Sequence, residues 1–145
     1  MIELSEQRRL ALRVAWAYHG HWYTWGGDDP AGFDCSGLVV EIGKSVGWFP
    51  RKGDSTAEGL RLNYREILPA LVQPGDLVFR MQNGLAVHVG IVIDPTSHYI
   101  AAEGGGRSVK TLGDAIRLNA FIKVRPISSM GRALERRYAT PFREE

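Results

Sequence analysis

Cys35 and His88 are the two side chains in this sequence whose types suit thiol chemistry, and Cys35 is the only cysteine. Cys35 follows a run rich in Gly, Asp and Pro and opens an apolar segment with helical spacing. A thiol attacks as its thiolate, and a helix N-terminus or a neighbouring imidazolium favours that form. A helix starting near Asp34 puts Cys35 in the first turn, among unpaired N–H groups and at the positive end of the dipole. Those N–H groups could also hold an oxyanion. His88 lies between Val87 and Val89 in a β-branched run, so its side chain points away from theirs. With Val87 and Val89 turned to a core, His88 faces the other side, where the helix carrying Cys35 would pack. A Cys–His pair distant in sequence and close in space is the arrangement of a thiol hydrolase. Residue types alone leave a second reading open, in which Cys35 is a small core residue and His88 a structural strand histidine.

The elements that would position the pair read from local signals. Ser5 is a good N-cap and Glu6 a first-turn carboxylate, so residues 5–19 are predicted as a helix stopped by Gly20. Residues 21–34 read as a loop punctuated by Gly26, Gly27, Pro30 and Gly32. Leu38, Val39, Ile42 and Val46 form the stripe of a second helix ending near Gly47. Gly37 and Gly43 inside it each cost about 1 kcal/mol relative to alanine, which points to close packing. Ser55 or Thr56 can cap a short helix through Asn63.

From Gln73 the pattern changes to strands. The segments 77–79, 87–93, 99–103 and 120–125 read as strands, with turns at 74–76, 82–84 and 94–97. A break at 104–106, a short strand over 108–110 and a helix over 112–118 complete the middle. Residues 130–137 are predicted as a basic amphipathic helix, followed by a loose tail after Thr140. Helices first and an antiparallel meander after them define an α+β fold. The expected organisation is one catalytic domain over 1–145, with its core at about 5–126 and the basic helix and tail over 127–145.

Composition limits the alternatives. The chain has 145 residues, 44% hydrophobic and 23% charged, as a globular domain requires. A net charge of +2 is too mild to argue for nucleic acid. One cysteine excludes an internal disulfide, and four histidines leave little room for a metal cluster. No apolar run approaches the roughly 20 residues that span a bilayer, and residues 1–9 lack the apolar core of a signal peptide.

The segment Y-T-W-G-G-D-D-P-A-G-F-D-C-S-G-L-V at 23–39 resembles the nucleophile motif of the NlpC-type cell-wall peptidases. Three further segments are similar to that family in its order: F-P-R-K-G-D-S-T-A-E at 49–58, P-G-D-L-V-F at 74–79 and H-V-G-I-V-I at 88–93. The resemblance implies a papain-like α+β fold and a cysteine endopeptidase that cuts peptidoglycan stem peptides, at the D-glutamyl–diamino acid bond, with no metal or organic cofactor. It implies Cys35 as nucleophile and His88 as general base, with Asp34 and Ser36 flanking the nucleophile and Tyr23 lining the substrate groove. An amidase or acyltransferase on the same pair, and a degenerate wall-binding or assembly module, are the alternatives.

One position departs from the family pattern. A polar residue on the strand after the histidine is expected to orient the imidazole, and the matching column here is Ala101. Glu103 shares a face with Ala101, and a slightly longer hairpin over 94–98 would bring it into register. A carboxylate is a sound orienter, since it fixes the tautomer and stabilises the imidazolium. His98, a backbone carbonyl and water are the other candidates. His19 and His21, at the end of the first helix, read as structural or surface groups. Trp22, Trp25, Trp48 and Phe49 suit either a groove or a core. Arg132, Arg136, Arg137 and Arg143 read as a solvated basic face. The expected setting is synthesis in the cytoplasm without a signal peptide and action on the bacterial wall after lysis, injection or as part of a virion. A phage tail or a secretion machine is then the expected partner, alongside the peptidoglycan stem peptide.

Overall fold

In the computed structural model, which describes residues 4–23, 28–29, 32–104 and 109–143, helices α1 (Glu6–Ala17), α2 (Cys35–Val46) and α3 (Ala57–Asn63) precede a six-stranded antiparallel sheet. The caps are local. The Ser5 side chain accepts from the Arg8 N–H, Asp34 from Gly37 and Thr56 from Gly59. Gly47, at φ 101, closes α2. Gly43 answers the question of why α2 tolerates glycine: a Cβ there would sit 2.6 Å from the Trp48 ring and 2.8 Å from Phe49 Cβ. The chain leaving α2 folds back over that bare position.

The loop expected over 21–34 contains a two-residue hairpin, β1 (Asp28–Asp29) with β2 (Gly32–Phe33). Gly26, Gly27, Pro30 and Trp25 lie outside the described residues. The main sheet is built from β3 (Arg65–Glu66), β4 (Leu77–Gln82), β5 (Leu85–Asp94), β6 (His98–Glu103), β7 (Phe121–Pro126) and β8 (Arg136–Thr140), in the order β3-β8-β4-β5-β6-β7. Asn83 and Gly84, both at positive φ, form the β4–β5 turn. Helix α4 (Leu112–Leu118) joins β6 to β7 behind a Thr111–Asp114 capping box. Of the strand expected over 108–110, Ser108 lies outside the described residues, and Val109 and Lys110 are irregular.

Each face of the sheet carries a core. Leu38, Val39 and Ile42 of α2 pack with Leu77, Phe79, Val89, Ile91, Ile100 and Ala102. On the other side Val78, Val92, Tyr99 and Ala101 meet Ile127, Met130 and Tyr138.

The C-terminal expectation is corrected. Residues 127–130 and 133–135 are single 3-10 turns, and 136–140 is a strand, not a basic helix. That strand pairs with β4 through Leu77↔Ala139 and Val78↔Tyr138, and with β3 through Arg65↔Thr140. Burying Tyr138 and Ala139 between two strands outweighs the helix propensity of the segment. Nor is the tail loose at its start, since Phe142 is buried in the main core. Its ring lies 4.5 Å from the Arg8 guanidinium, which bonds Asp76 at 2.9 Å and the Pro74 carbonyl at 3.0 Å. The P-G-D segment therefore anchors α1 to the start of β4. Burial pushes the Asp76 carboxyl upward despite its bonds from Thr140, Gln73 and Arg8.

His19 and His21 lie at the end of α1 against the rings of Trp16 and Tyr18. Trp22 bridges Phe121 across the sheet edge, and Trp48 stacks edge-on with Tyr64 at 5.3 Å. No described helix is long and apolar enough to cross a membrane.

Candidate active site

The site starts from the cap of α2. Asp34 is extended, at φ −89 and ψ −178, and its Oδ1 accepts the Gly37 N–H at 2.6 Å and the Ser36 hydroxyl at 3.4 Å. The Leu38 N–H bonds the Asp34 carbonyl. Those bonds leave the N–H groups of Cys35 and Ser36 as the pair without an intrahelical acceptor. Cys35 is half-buried in the first turn, and Ser36 is buried beside it.

His88 is aimed by two irregularities in its strand. Arg80 pairs with His88 but Met81 pairs with Ala86, so Val87 is an extra residue in β5. This bulge corrects the expectation that Val87 and Val89 share a core face. Val89 is in the main core with α2, whereas Val87 is exposed. His88 therefore points away from the face that α2 covers, and thiol and imidazole meet at the end of the helix–sheet interface. Bulges commonly re-aim a side chain next to a site. The Ala86 N–H beside this bulge donates to Glu58 Oε1 at 2.8 Å, and Arg61 grips the same carboxylate at 2.7 and 2.8 Å.

The second irregularity lies between Val92 and Asp94, where the β5–β6 register shifts by one residue at Ile93. On the far side of that shift Val92 pairs with Tyr99 and Ile91 with Ile100. The same register continued sets Gly90 against Ala101 and His88 against Glu103. Without the shift Glu103 would oppose Val89 and turn toward the main core. The side chains meet accordingly, with His88 Nε2 hydrogen-bonded to Glu103 Oε2. The other carboxylate oxygen accepts the Tyr99 hydroxyl at 2.5 Å.

Electrostatics follow from these contacts. Burial alone would lower the His88 pKa, but hydrogen bonds to Cys35 and Glu103, reinforced by their charges, raise it to about 9. Burial works against ionised Glu103 too, yet His88 and then Tyr99 hold its carboxyl below the usual range. With Nε2 committed to Glu103, Nδ1 is the ring nitrogen left for the Cys35 thiol. Burial and the nearby Cys35, Asp34 and Glu103 push the Tyr23 phenol well above its ordinary range. Tyr23 is buried, and its N–H bonds the Ala120 carbonyl at 2.9 Å.

His88 thus stands between Cys35, whose thiol acts on its ring, and Glu103, to which it is hydrogen-bonded, and these three form one line with Tyr23 beside it and Asp34 and Ser36 at its helix end. Ala101 lies in the second core, and His98 stands at the far end of β6, opposite Asp94. Two residues near the site escaped the sequence reading. Tyr99 was detectable, because it shares a strand face with Glu103. Glu58 carried no local sign of reaching β5. A cavity of about 1080 Å³, lined by Trp48, Tyr64, Arg65 and Phe142 among others, is elsewhere, and none of the three line members borders it.

Such a line can deliver a thiol proton to an imidazole whose far nitrogen is held by a carboxylate, which is the chemistry of a cysteine hydrolase. The sheet with helices packed against its main core is the papain-like α+β architecture. The chain belongs to the NlpC/P60 family, whose profile it matches over residues 20–126. It is 32% identical over 97 residues to the probable endopeptidase p60 of Listeria grayi, covering 67% of this chain and 16% of that protein. It therefore spans less than a fifth of that relative's length. Among solved structures it superimposes on the NlpC/p60 domain of the peptidoglycan hydrolase SagA with a TM-score of 0.67, at 24% identity, covering 92% of this chain and 97% of that one. It also superimposes on RipD of Mycobacterium tuberculosis, described as a non-catalytic NlpC/p60 protein adapted to peptidoglycan binding. There the TM-score is 0.63 at 16% identity, covering 94% of this chain and 98% of that one.

Proposed function

We propose that residues 1–145 act as one catalytic domain, a cysteine endopeptidase that hydrolyses peptidoglycan stem peptides at the bond between D-glutamate and a diamino acid. The observation that carries this reading is the His88–Glu103 hydrogen bond, with Cys35 at the N-terminus of α2 acting on the same imidazole. His88 takes the thiol proton as Cys35 Sγ adds to the scissile carbonyl carbon. The carbonyl oxygen becomes an oxyanion, held by the N–H groups of Cys35 and Ser36. Collapse expels the amine, which receives the proton from His88, and leaves a thioester on Cys35. Water then loses a proton to His88 and adds to the thioester. Cys35 departs, recovers that proton, and the new carboxylate is released. Glu103 stabilises the imidazolium in both halves. Tyr23, Asp34 and Ser36 line the approach to the thiol.

Purified sacculi incubated with the chain test this directly. Release of peptides with new termini at the D-glutamyl bond, abolished in Cys35→Ala with the fold retained, is the expected result. Undiminished hydrolysis by that variant removes the thiol mechanism. Fragments with other new termini would assign the amidase or acyltransferase chemistry instead.

The likeness to RipD favours a second reading, a module that binds the wall without cutting it. Alkylation separates the two. A Cys35 that reacts with iodoacetamide at pH 6 no faster than a free cysteine, together with sacculus binding that survives Cys35→Ala, would support the binding module.

A further inference from the structure

The Glu103 carboxylate is the last polar group of the line, and it ends β6 immediately before Gly104. A terminal carboxylate rotates with little preference of its own. Here both oxygens are engaged, one by His88 and the other by the Tyr99 hydroxyl. Tyr99 is fully buried, with its ring in the second core among Val78, Val92, Ile127, Met130 and Tyr138. It sits four residues before Glu103 on the same face, a Cα separation of roughly 13 Å along a strand. The ring must therefore lie along the sheet to reach the carboxylate. Two small residues leave that lane open. A Cβ on Gly90 would come within 2.6 Å of Tyr99 Cδ2 and 3.1 Å of Ala101 Cβ. Ala101 itself lies between Tyr99 and Glu103 and offers only a methyl group.

We propose that Tyr99 is a positioning residue for this site, its hydroxyl fixing one oxygen of Glu103 so that the other faces His88 Nε2. A carboxylate so held places the imidazole proton on Nε2 and leaves Nδ1 to accept from the thiol, as an outer partner does for a ligating or catalytic histidine. The consequence for turnover rests on the proposed hydrolase reading; the geometry does not. Among the described residues, the charged and titratable groups facing the pair are His88 with Cys35 beyond it, Tyr23, Arg125 of β7 and, near the Tyr99 hydroxyl, Arg80 of β4. None of them is altered by removing one hydroxyl.

The test is Tyr99→Phe in the full chain, which keeps the ring and deletes the hydroxyl. NMR titration of the His88 ring needs no substrate. We expect its midpoint to fall by about half to one pH unit, because a carboxylate no longer fixed through its other oxygen keeps Oε2 on Nε2 for less of the time and so supports the imidazolium less well. On sacculi or a stem peptide, kcat should fall by about tenfold with KM unchanged. In a Glu103→Gln background the same substitution should produce no further shift, since residues acting in series are not additive. An unchanged His88 titration in Tyr99→Phe, or an equal shift in the Glu103→Gln background, overturns the proposal. Should Tyr99→Phe fail to fold, the wild-type chain still decides. A slowly exchanging, downfield Tyr99 hydroxyl proton that is lost in Glu103→Ala, which removes the acceptor, upholds the contact, and its absence in the wild type overturns it. A chain that cuts no wall peptide but shows the titration shift refutes the hydrolase reading alone. A chain that cuts normally with no shift refutes the role of Tyr99 alone.

Discussion

Glu103 faces His88 across the β5–β6 pair because the register slips by one residue at Ile93, and the two side chains join through Oε2 and Nε2. A strand pair without that slip would turn Glu103 toward the main core. The carboxylate at His88 Nε2 is thus a product of strand register.

Glu103→Gln keeps the size of the side chain and removes its charge. His88 has a pKa of about 9, against the downward pull of burial, with help from Cys35 and Glu103. The wild-type rate profile should therefore have an alkaline limb near that value, where the protonated imidazole needed by the leaving amine disappears. In Glu103→Gln burial counts for more, so the limb moves to lower pH and the rate near neutrality falls by roughly 10²-fold. A pH series of kcat/KM for both proteins checks the direction.

Stability should depend on pH through the same pair. The folded-state pKa of His88 is raised above the unfolded value, so its contribution is complete below about 6.5 and is lost as pH rises through about 9. The contribution is at most about 3 kcal/mol. Glu103 is lowered, so its share is present above the unfolded carboxylate value and lost in acid. Urea unfolding of wild type and His88→Ala at pH 6, 8 and 10 should give curves that converge toward pH 10.

Glu58 holds the strand that carries His88. Its carboxylate accepts the Ala86 N–H beside the Val87 bulge and is gripped by Arg61. Glu58→Ala should speed hydrogen exchange at the Ala86 amide by about tenfold or more, since local opening governs that exchange. It should also slow turnover while leaving Cys35 alkylation intact. Glu58→Gln, which retains an acceptor, should show a milder form of both effects.

Arg8 and Asp76 are both nearly inaccessible, paired at 2.9 Å between α1 and the start of β4. Removing one partner strands a buried charge, so Arg8→Ala should cost about 3–5 kcal/mol. Asp76→Ala should cost a similar amount, and the double variant less than the sum. Denaturant midpoints of the three proteins form the cycle that checks this.

What the sequence by itself determined is local. Ser5, Asp34 and Thr56 cap the helices that begin beside them, Gly47 ends α2, and Asn83-Gly84 turns β4 into β5. Each signal acts within one turn of chain, so it survives without tertiary context. Cys35 and His88 stood out for the same reason, one at a readable helix start and the other in a readable strand. The tertiary structure decided whatever depends on pairing between distant segments. It made 136–140 a strand, because two neighbouring strands there accept its hydrogen bonds and bury Tyr138 and Ala139. It put Phe142 into the main core. It inserted Ile93 as an extra residue, and so turned His88 and Glu103 toward each other. Alternation along a strand tells which residues share a face, but one added residue reverses it. Where such a residue is accommodated depends on the partner strand, and so the choice of Glu103 over Ala101 or His98 at His88 was made only in the folded sheet.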